Sequence, residues 1–176
     1  VEAVKKGEVD LGIAFLTYRQ SAEAQGLVPV SYLDGEDEWA GFICCRMFTT
    51  REKLEANRDA YVAALKANIR AYELMQTNED ETIKYALQEV ETDEDAIRSQ
   101  VYEYGHIGFS PNPDVKDTDQ FFQAMVDIGY SQGNVDMKDY IDPTVFEDAL
   151  NELLQEDPDN EVYLQLQAED QATNQD

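Results

Sequence analysis

The sequence predicts an α/β protein in which a few short buried strands precede a long helical region. Between Val9 and Met47, apolar runs of roughly four to eight residues are bounded by Gly, Pro and Asp, as in strands of a sheet that is covered on both faces. From Thr49 onward, apolar residues recur instead at helical spacing. These two patterns together predict the fold class.

Three apolar runs are the predicted strands. They occupy residues 9–16, 27–30 and 41–48. Side chains alternate between the two faces of a strand, so Ile43, Cys45 and Met47 share an apolar face that we expect in a core. The opposite face carries Phe42, Cys44 and Arg46. A guanidinium on that face must reach water, a carboxylate or an anionic ligand, because a buried cation needs a partner.

Capping residues and apolar stripes predict the helices that follow. Polar residues with cap character stand where the helices begin: Thr49 or Thr50, Asn78, Thr92 or Asp93, Thr118 and Asp142. The longest predicted helix carries one apolar stripe, formed by Val62, Leu65, Ile69 and Tyr72. The last one ends near Leu154, and beyond Gln155 the chain is polar and acidic, so we expect it not to pack.

The charge of the chain excludes two classes of partner. It has 38 acidic and 13 basic residues, a formal net charge of −25. Such a surface repels phosphate backbones and anionic membranes, and the cations form no basic patch. No apolar stretch reaches the roughly 18 residues that a membrane-spanning helix needs. We therefore expect neither a nucleic-acid partner nor a direct membrane span.

The cysteine and histidine content limits the chemistry. The two cysteines, Cys44 and Cys45, are adjacent, and a bond between neighbours on a strand would be strained. His106 is the single histidine, so the sequence predicts neither a disulfide framework nor a zinc ligand set. We expect no metal and no cofactor, and the redox compartment stays open.

Four local features occur in an order that resembles a known family. A helix ends in Gly7-Glu8-Val9-Asp10 before a buried strand, and the strand at 42–46 contains Cys-Cys-Arg. A long helix ends in Arg70-Ala71-Tyr72, and a late helix is followed by Gly129-Tyr130 and Asn134-Val135-Asp136. This order, which covers residues 1–154, resembles the solute-binding proteins of ABC importers for nitrate, sulfonates, taurine and thiamine precursors.

The resemblance implies a type 2 periplasmic-binding-protein-like fold with two α/β lobes, of which this segment is the C-terminal part. Residues 1–41 would end the second lobe, 42–48 would form the returning hinge strand, and 49–154 would be helices of the first lobe. Residues 155–176 would be an acidic, disordered tail. The chain opens on the predicted end of a helix, so we expect the segment to begin inside a longer protein.

The function that the resemblance implies is solute capture rather than catalysis. The solute would be an anion of the sulfonate, nitrate or taurine type, or a heterocycle of the thiamine-precursor type, held in a cleft that closes by hinge motion. The partners would be the permease subunits and their ATPase. Such a protein is extracytoplasmic, in the periplasm or lipid-anchored at the outer face of the cell membrane, and monomeric.

The candidate ligand-binding residues come from the resemblance together with strand geometry. They are Phe15, Thr17, Tyr18, Arg19, Phe42, Cys44 and Arg46. Tyr18 and Arg19 follow a predicted strand, and ligands bind beyond the carboxyl ends of strands in α/β sheets. Many family members carry a proline motif just after this strand, whereas this chain has none there. The identity of the solute therefore cannot be inferred from the family.

Two other interpretations remain open. One is an enzyme on the same fold, of the pyrimidine-forming or desulfination type. Its nucleophile would be one of the two cysteines, Cys44 or Cys45. His106 is not an evident general base for either thiol. The other is an acidic interaction module built of helices, which would leave the apolar runs between Val9 and Met47 unexplained.

Overall fold

The computed structural model describes residues 1–14, 18–32, 45–103 and 109–174. Within these ranges the regular secondary structure is helical, and no β-strand forms. The predicted α/β fold class is therefore wrong, and so is the type 2 periplasmic-binding-protein-like sheet, because a sheet requires strands that pair with one another.

The α-helices follow one another through most of the described chain. In order they are α1 (Glu2–Lys5), α2 (Arg19–Ala24), α3 (Arg51–Ala56), α4 (Arg58–Thr77), α5 (Glu79–Glu89), α6 (Glu94–Arg98), α7 (Val115–Asp127), α8 (Thr144–Glu156) and α9 (Glu161–Thr173). A π-helical turn (Ser99–Glu103) continues α6, and a 3-10 helix (Met137–Tyr140) lies between α7 and α8. Over the described ranges, none of these helices combines the length and apolar character needed to cross a membrane.

The helices belong to two compact units. The first comprises Val1–Phe42 and Ile83–Gly108, and the second comprises Ile43–Thr82 and Phe109–Asp176. Helices α1, α2 and α6 lie in the first unit, and α3, α4, α7, α8 and α9 lie in the second. Helix α5 begins in the second unit and ends in the first.

The first two apolar runs do not form strands where the structure describes them. Leu11 is 68% exposed and Ile13 is fully exposed, while Val28 and Val30 are 80% and 86% exposed. The prediction failed because an apolar run becomes a buried strand only when a second strand pairs with it. The pattern of one run does not show whether such a partner exists.

The third apolar run is not a strand in its described part either. Cys45 and Met47 are exposed, and the side chain of Phe48 is almost completely so. The predicted core face is therefore wrong for its two described members. These residues lead directly into α3, with no neighbouring strand among the described residues to cover them.

The predicted helix starts are confirmed where a side chain caps the backbone. Thr50, Asn78 and Asp93 each accept a hydrogen bond from the backbone amide three residues later. Each bond satisfies an amide that the first turn of a helix leaves without an intrahelical partner. The signal lies within four consecutive residues, so the sequence alone is sufficient to find it.

Helix α7 begins one turn before the predicted start at Thr118. Its N-cap is Asp114, whose carboxylate accepts a hydrogen bond from the amide of Asp117 at 3.1 Å. Asp114 has a positive φ of 48°, which is unusual for a residue other than glycine. The amide oxygen of Asn112 accepts a hydrogen bond from the backbone N–H of Asp114 at 3.1 Å and helps to hold this conformation.

Glycines end two helices at the predicted positions. The N–H of Gly7 donates to the carbonyl of Val4, and the N–H of Glu8 donates to that of Ala3, which is the Schellman arrangement. Gly129 closes α7 in the same way. Both glycines have positive φ values, 70° and 78°, that would strain a residue with a side chain.

The core of the second unit forms where α4, α8 and α9 pack together. Its most completely buried large side chains are Ile69, Phe146, Leu153 and Leu166. The apolar stripe predicted on α4 is confirmed: Val62 and Ile69 are buried, and Leu65 and Tyr72 pack against them. Burial of one large apolar side chain is worth about 1.5–3 kcal/mol, so these contacts dominate the stability of the unit.

The acidic C-terminal segment packs, contrary to the expectation of a disordered tail. Residues Glu161–Thr173 form α9, and Tyr163 and Leu166 are buried in the core. Asn160 caps the helix, and its side-chain oxygen accepts hydrogen bonds from two backbone amides in the first turn. The expectation failed because a few apolar residues at helical spacing within a polar sequence are sufficient to dock a helix on an existing core.

Candidate functional site

Three of the seven predicted ligand-binding residues lie in the described part of the chain. They are Tyr18, Arg19 and Arg46. The other four, Phe15, Thr17, Phe42 and Cys44, lie outside the described residues. Tyr18 and Arg19 belong to the first compact unit, whereas Arg46 belongs to the second.

Tyr18 and Arg19 stand at the start of a helix rather than at the end of a strand. Tyr18 occupies the N-cap position of α2 and is exposed. The guanidinium of Arg19 pairs with the carboxylate of Glu23 at 2.9 Å, one turn along α2. It also lies over the ring of Tyr32, 4.9 Å from its centre. These contacts hold Arg19 against its own helix and a neighbouring aromatic ring.

The guanidinium of Arg46 contacts the first turn of α7. Its Nε and Nη2 both donate to Oγ1 of Thr118, at 3.2 and 3.1 Å. Its Nη1 donates to the backbone carbonyl of Cys45 at 3.1 Å. Thr118 therefore orients the guanidinium through a neutral hydroxyl. A carboxylate or sulfonate oxygen is a stronger acceptor than a hydroxyl, so an anion can compete for these donors.

The carboxylate of Asp114 belongs to the same neighbourhood. Burial is the largest influence on Asp114, and it raises the pKa of this carboxyl above its usual value. The backbone amide of Asp117 and the positive charge of Arg46 both act in the opposite direction. The second unit thus places a guanidinium, a hydroxyl and a buried carboxyl group around the N-terminus of α7.

The sequence did not reveal the partners of Arg46. Thr118 is 72 residues away along the chain, and a hydrogen bond over such a separation depends on how the helices pack. A partial signal was present in Asn112-Pro113-Asp114, since Asn and Asp flanking a proline are typical of a structured turn.

A polar cluster, formed by the buried Asn112 and Asp170 and the half-buried Thr173 and Asn174, joins this turn to the end of α9. The side-chain amide of Asn112 donates to Thr173 at 3.1 Å. That of Asn174 donates to the side-chain oxygens of Asn112 and Asp170, at 2.6 and 2.7 Å. The oxygen of Asn174 accepts from the backbone N–H of Val115 at 2.9 Å. Buried polar groups satisfied in this way fix a packing geometry, so the cluster is a structural connection.

An open groove of about 570 Å³ runs between α4 and α8. Three of its lining residues are cations: Arg58, Lys66 and Arg70. Each cation is paired with a carboxylate of α8: Arg58 with Asp148, Lys66 with Glu152 and Glu156, and Arg70 with Glu156. The groove is therefore a row of ion pairs that aligns the two helices, without an uncompensated positive charge for an anion.

Metal binding and thiol chemistry have little support in the described ranges. No group of three or more His, Cys, Asp or Glu residues there is placed to hold a metal ion. Cys45 is a free, exposed thiol. Cys44 and His106, the other residues considered for nucleophilic chemistry, lie outside the described residues.

Comparison with known proteins gives no match: no family model fits the chain, and neither a curated protein nor a solved structure is significantly similar to it.

Proposed function

We propose that this protein is the substrate-binding component of an ABC importer, which captures a small anionic or heterocyclic solute and delivers it to the permease. The observation that carries the proposal is the order of the four sequence features along residues 1–154. The strands expected with the first two features are absent from the described residues, so the proposal keeps the order of the motifs without the α/β sheet.

The helical parts of three of the four features occur in the structure, and this supports the proposal. Gly7 ends α1 in the first feature. Arg70-Ala71-Tyr72 lies on α4, the longest helix among the described residues, although α4 continues to Thr77 and does not end there. Gly129 ends α7 in the fourth feature. The second feature, Cys-Cys-Arg, provides Arg46 at the first turn of α7. Two of the features thus coincide with a helix end, whereas the strands expected beside Gly7 and Arg46 are absent from the described residues.

Within this proposal, Arg46 contacts the anionic part of the solute. The planar guanidinium can hold a sulfonate or carboxylate through two parallel hydrogen bonds. Thr118 orients it, and its hydroxyl can also donate to the anion. Tyr18 and Arg19, in the first unit, are the remaining described candidates. Phe15, Thr17, Phe42 and Cys44 complete the proposed set.

The proposal is tested on the protein encoded by the complete reading frame. A thermal-shift screen with nitrate, taurine, alkyl sulfonates and thiamine precursors should give one solute class that raises the melting temperature. Calorimetry should then show reversible 1:1 binding, and the solute should be recovered unchanged by mass spectrometry. Conversion of the solute would favour the enzyme interpretation, and the absence of binding by every class would contradict solute capture.

A further inference from the structure

We draw no further inference here: the strongest candidate, the open groove of about 570 Å³ between α4 and α8, has each of its lining cations paired with a carboxylate of α8, so nothing in the structure shows what it would bind.

Discussion

The hydroxyl of Tyr163 donates a hydrogen bond of 2.5 Å to Oε2 of Glu73, which joins the first turn of α9 to α4. The side-chain amide of Asn160, the N-cap of α9, donates to the other oxygen of the same carboxylate at 2.8 Å. The ring of Tyr163 is buried in the core. One carboxylate thus fixes both the position and the start of the C-terminal helix.

Tyr163→Phe should destabilise the second unit by about 1–2 kcal/mol, because it removes a hydrogen bond to a charged group and keeps the ring. Burial, followed by the contact with Glu73, raises the pKa of Tyr163 to about 12 from an ordinary value near 10. The folded-state pKa is the higher one, so this stabilisation is complete below about pH 10 and is lost as the pH rises toward 12.

Denaturant unfolding of the wild type and Tyr163→Phe, measured from neutral to alkaline pH, checks this prediction. The difference between their free energies of unfolding should shrink above about pH 10. A difference that stays constant with pH would show that the hydroxyl does not titrate differently in the folded and unfolded states.

Leu166→Ala should cost about 2–5 kcal/mol, because it opens a cavity in a fully buried site. Leu164→Ala is the matched control, since Leu164 lies on the same helix and is 45% exposed. It should cost less than about 1 kcal/mol. Thermal or chemical unfolding compares the two variants. Equal effects would mean that α9 does not dock on the core through Leu166.

Glu147→Gln should raise the melting temperature at neutral pH. Burial, and then the charges of Asp170, Asp148 and Asp142, raise the pKa of Glu147. A carboxyl whose folded-state pKa is raised favours folding while it is protonated and loses that contribution as the pH rises. The gain should therefore vanish in acid, where the wild-type carboxyl is neutral. Glu55→Gln, on the exposed surface of α3, is the control and should raise the melting temperature at neutral pH less than Glu147→Gln does.

Added salt should stabilise the whole chain. A net charge of −25 makes the compact state repel itself, and ions screen that repulsion. The melting temperature should rise between roughly 0.05 and 1 M sodium chloride. Lys66 pairs with two carboxylates of α8. Lys66→Met should therefore lower the melting temperature more at low salt than at high salt. A melting temperature that falls with salt would show that the ion pairs outweigh the net repulsion.

Arg46→Ala in the protein from the complete reading frame should weaken an anionic solute by roughly ten- to a hundredfold, since a charge-assisted hydrogen bond is worth about 1.5–3 kcal/mol. Arg46→Lys should recover only part of the loss, because lysine keeps the charge but not the planar pair of donors. Arg51→Ala is the control, since Arg51 donates to the backbone carbonyl of Asp139. Unchanged affinity with a lower melting temperature would make Arg46 a structural residue.

Part of the candidate site could be predicted from the sequence. Arg46 was singled out because a cation on one face of a predicted strand requires a polar partner. Its guanidinium does donate to Thr118, but the strand itself does not form among the described residues. The identity of that acceptor, and the nearby Asp114, could not be predicted. Both depend on the packing of α7 beside a segment some 72 residues earlier in the chain.

The sequence by itself determined the local features of this protein. Caps such as Thr50 and Asp93, the glycine ends of α1 and α7, and the stripe on α4 are each encoded within one or a few helical turns. Their energetics involve neighbouring residues, so the local pattern is sufficient to predict them.

Tertiary structure decided the rest. Leu11, Val28 and Met47 have the apolar pattern of buried strands, yet they are exposed, because strand formation requires a partner that the pattern does not supply. Leu166 lies in an acidic segment whose composition predicts disorder, yet its side chain is fully buried. It is buried because it packs into the core that α4 and α8 form. Whether a residue is buried depends on which other residues pack against it, and those contacts exist only in the folded chain.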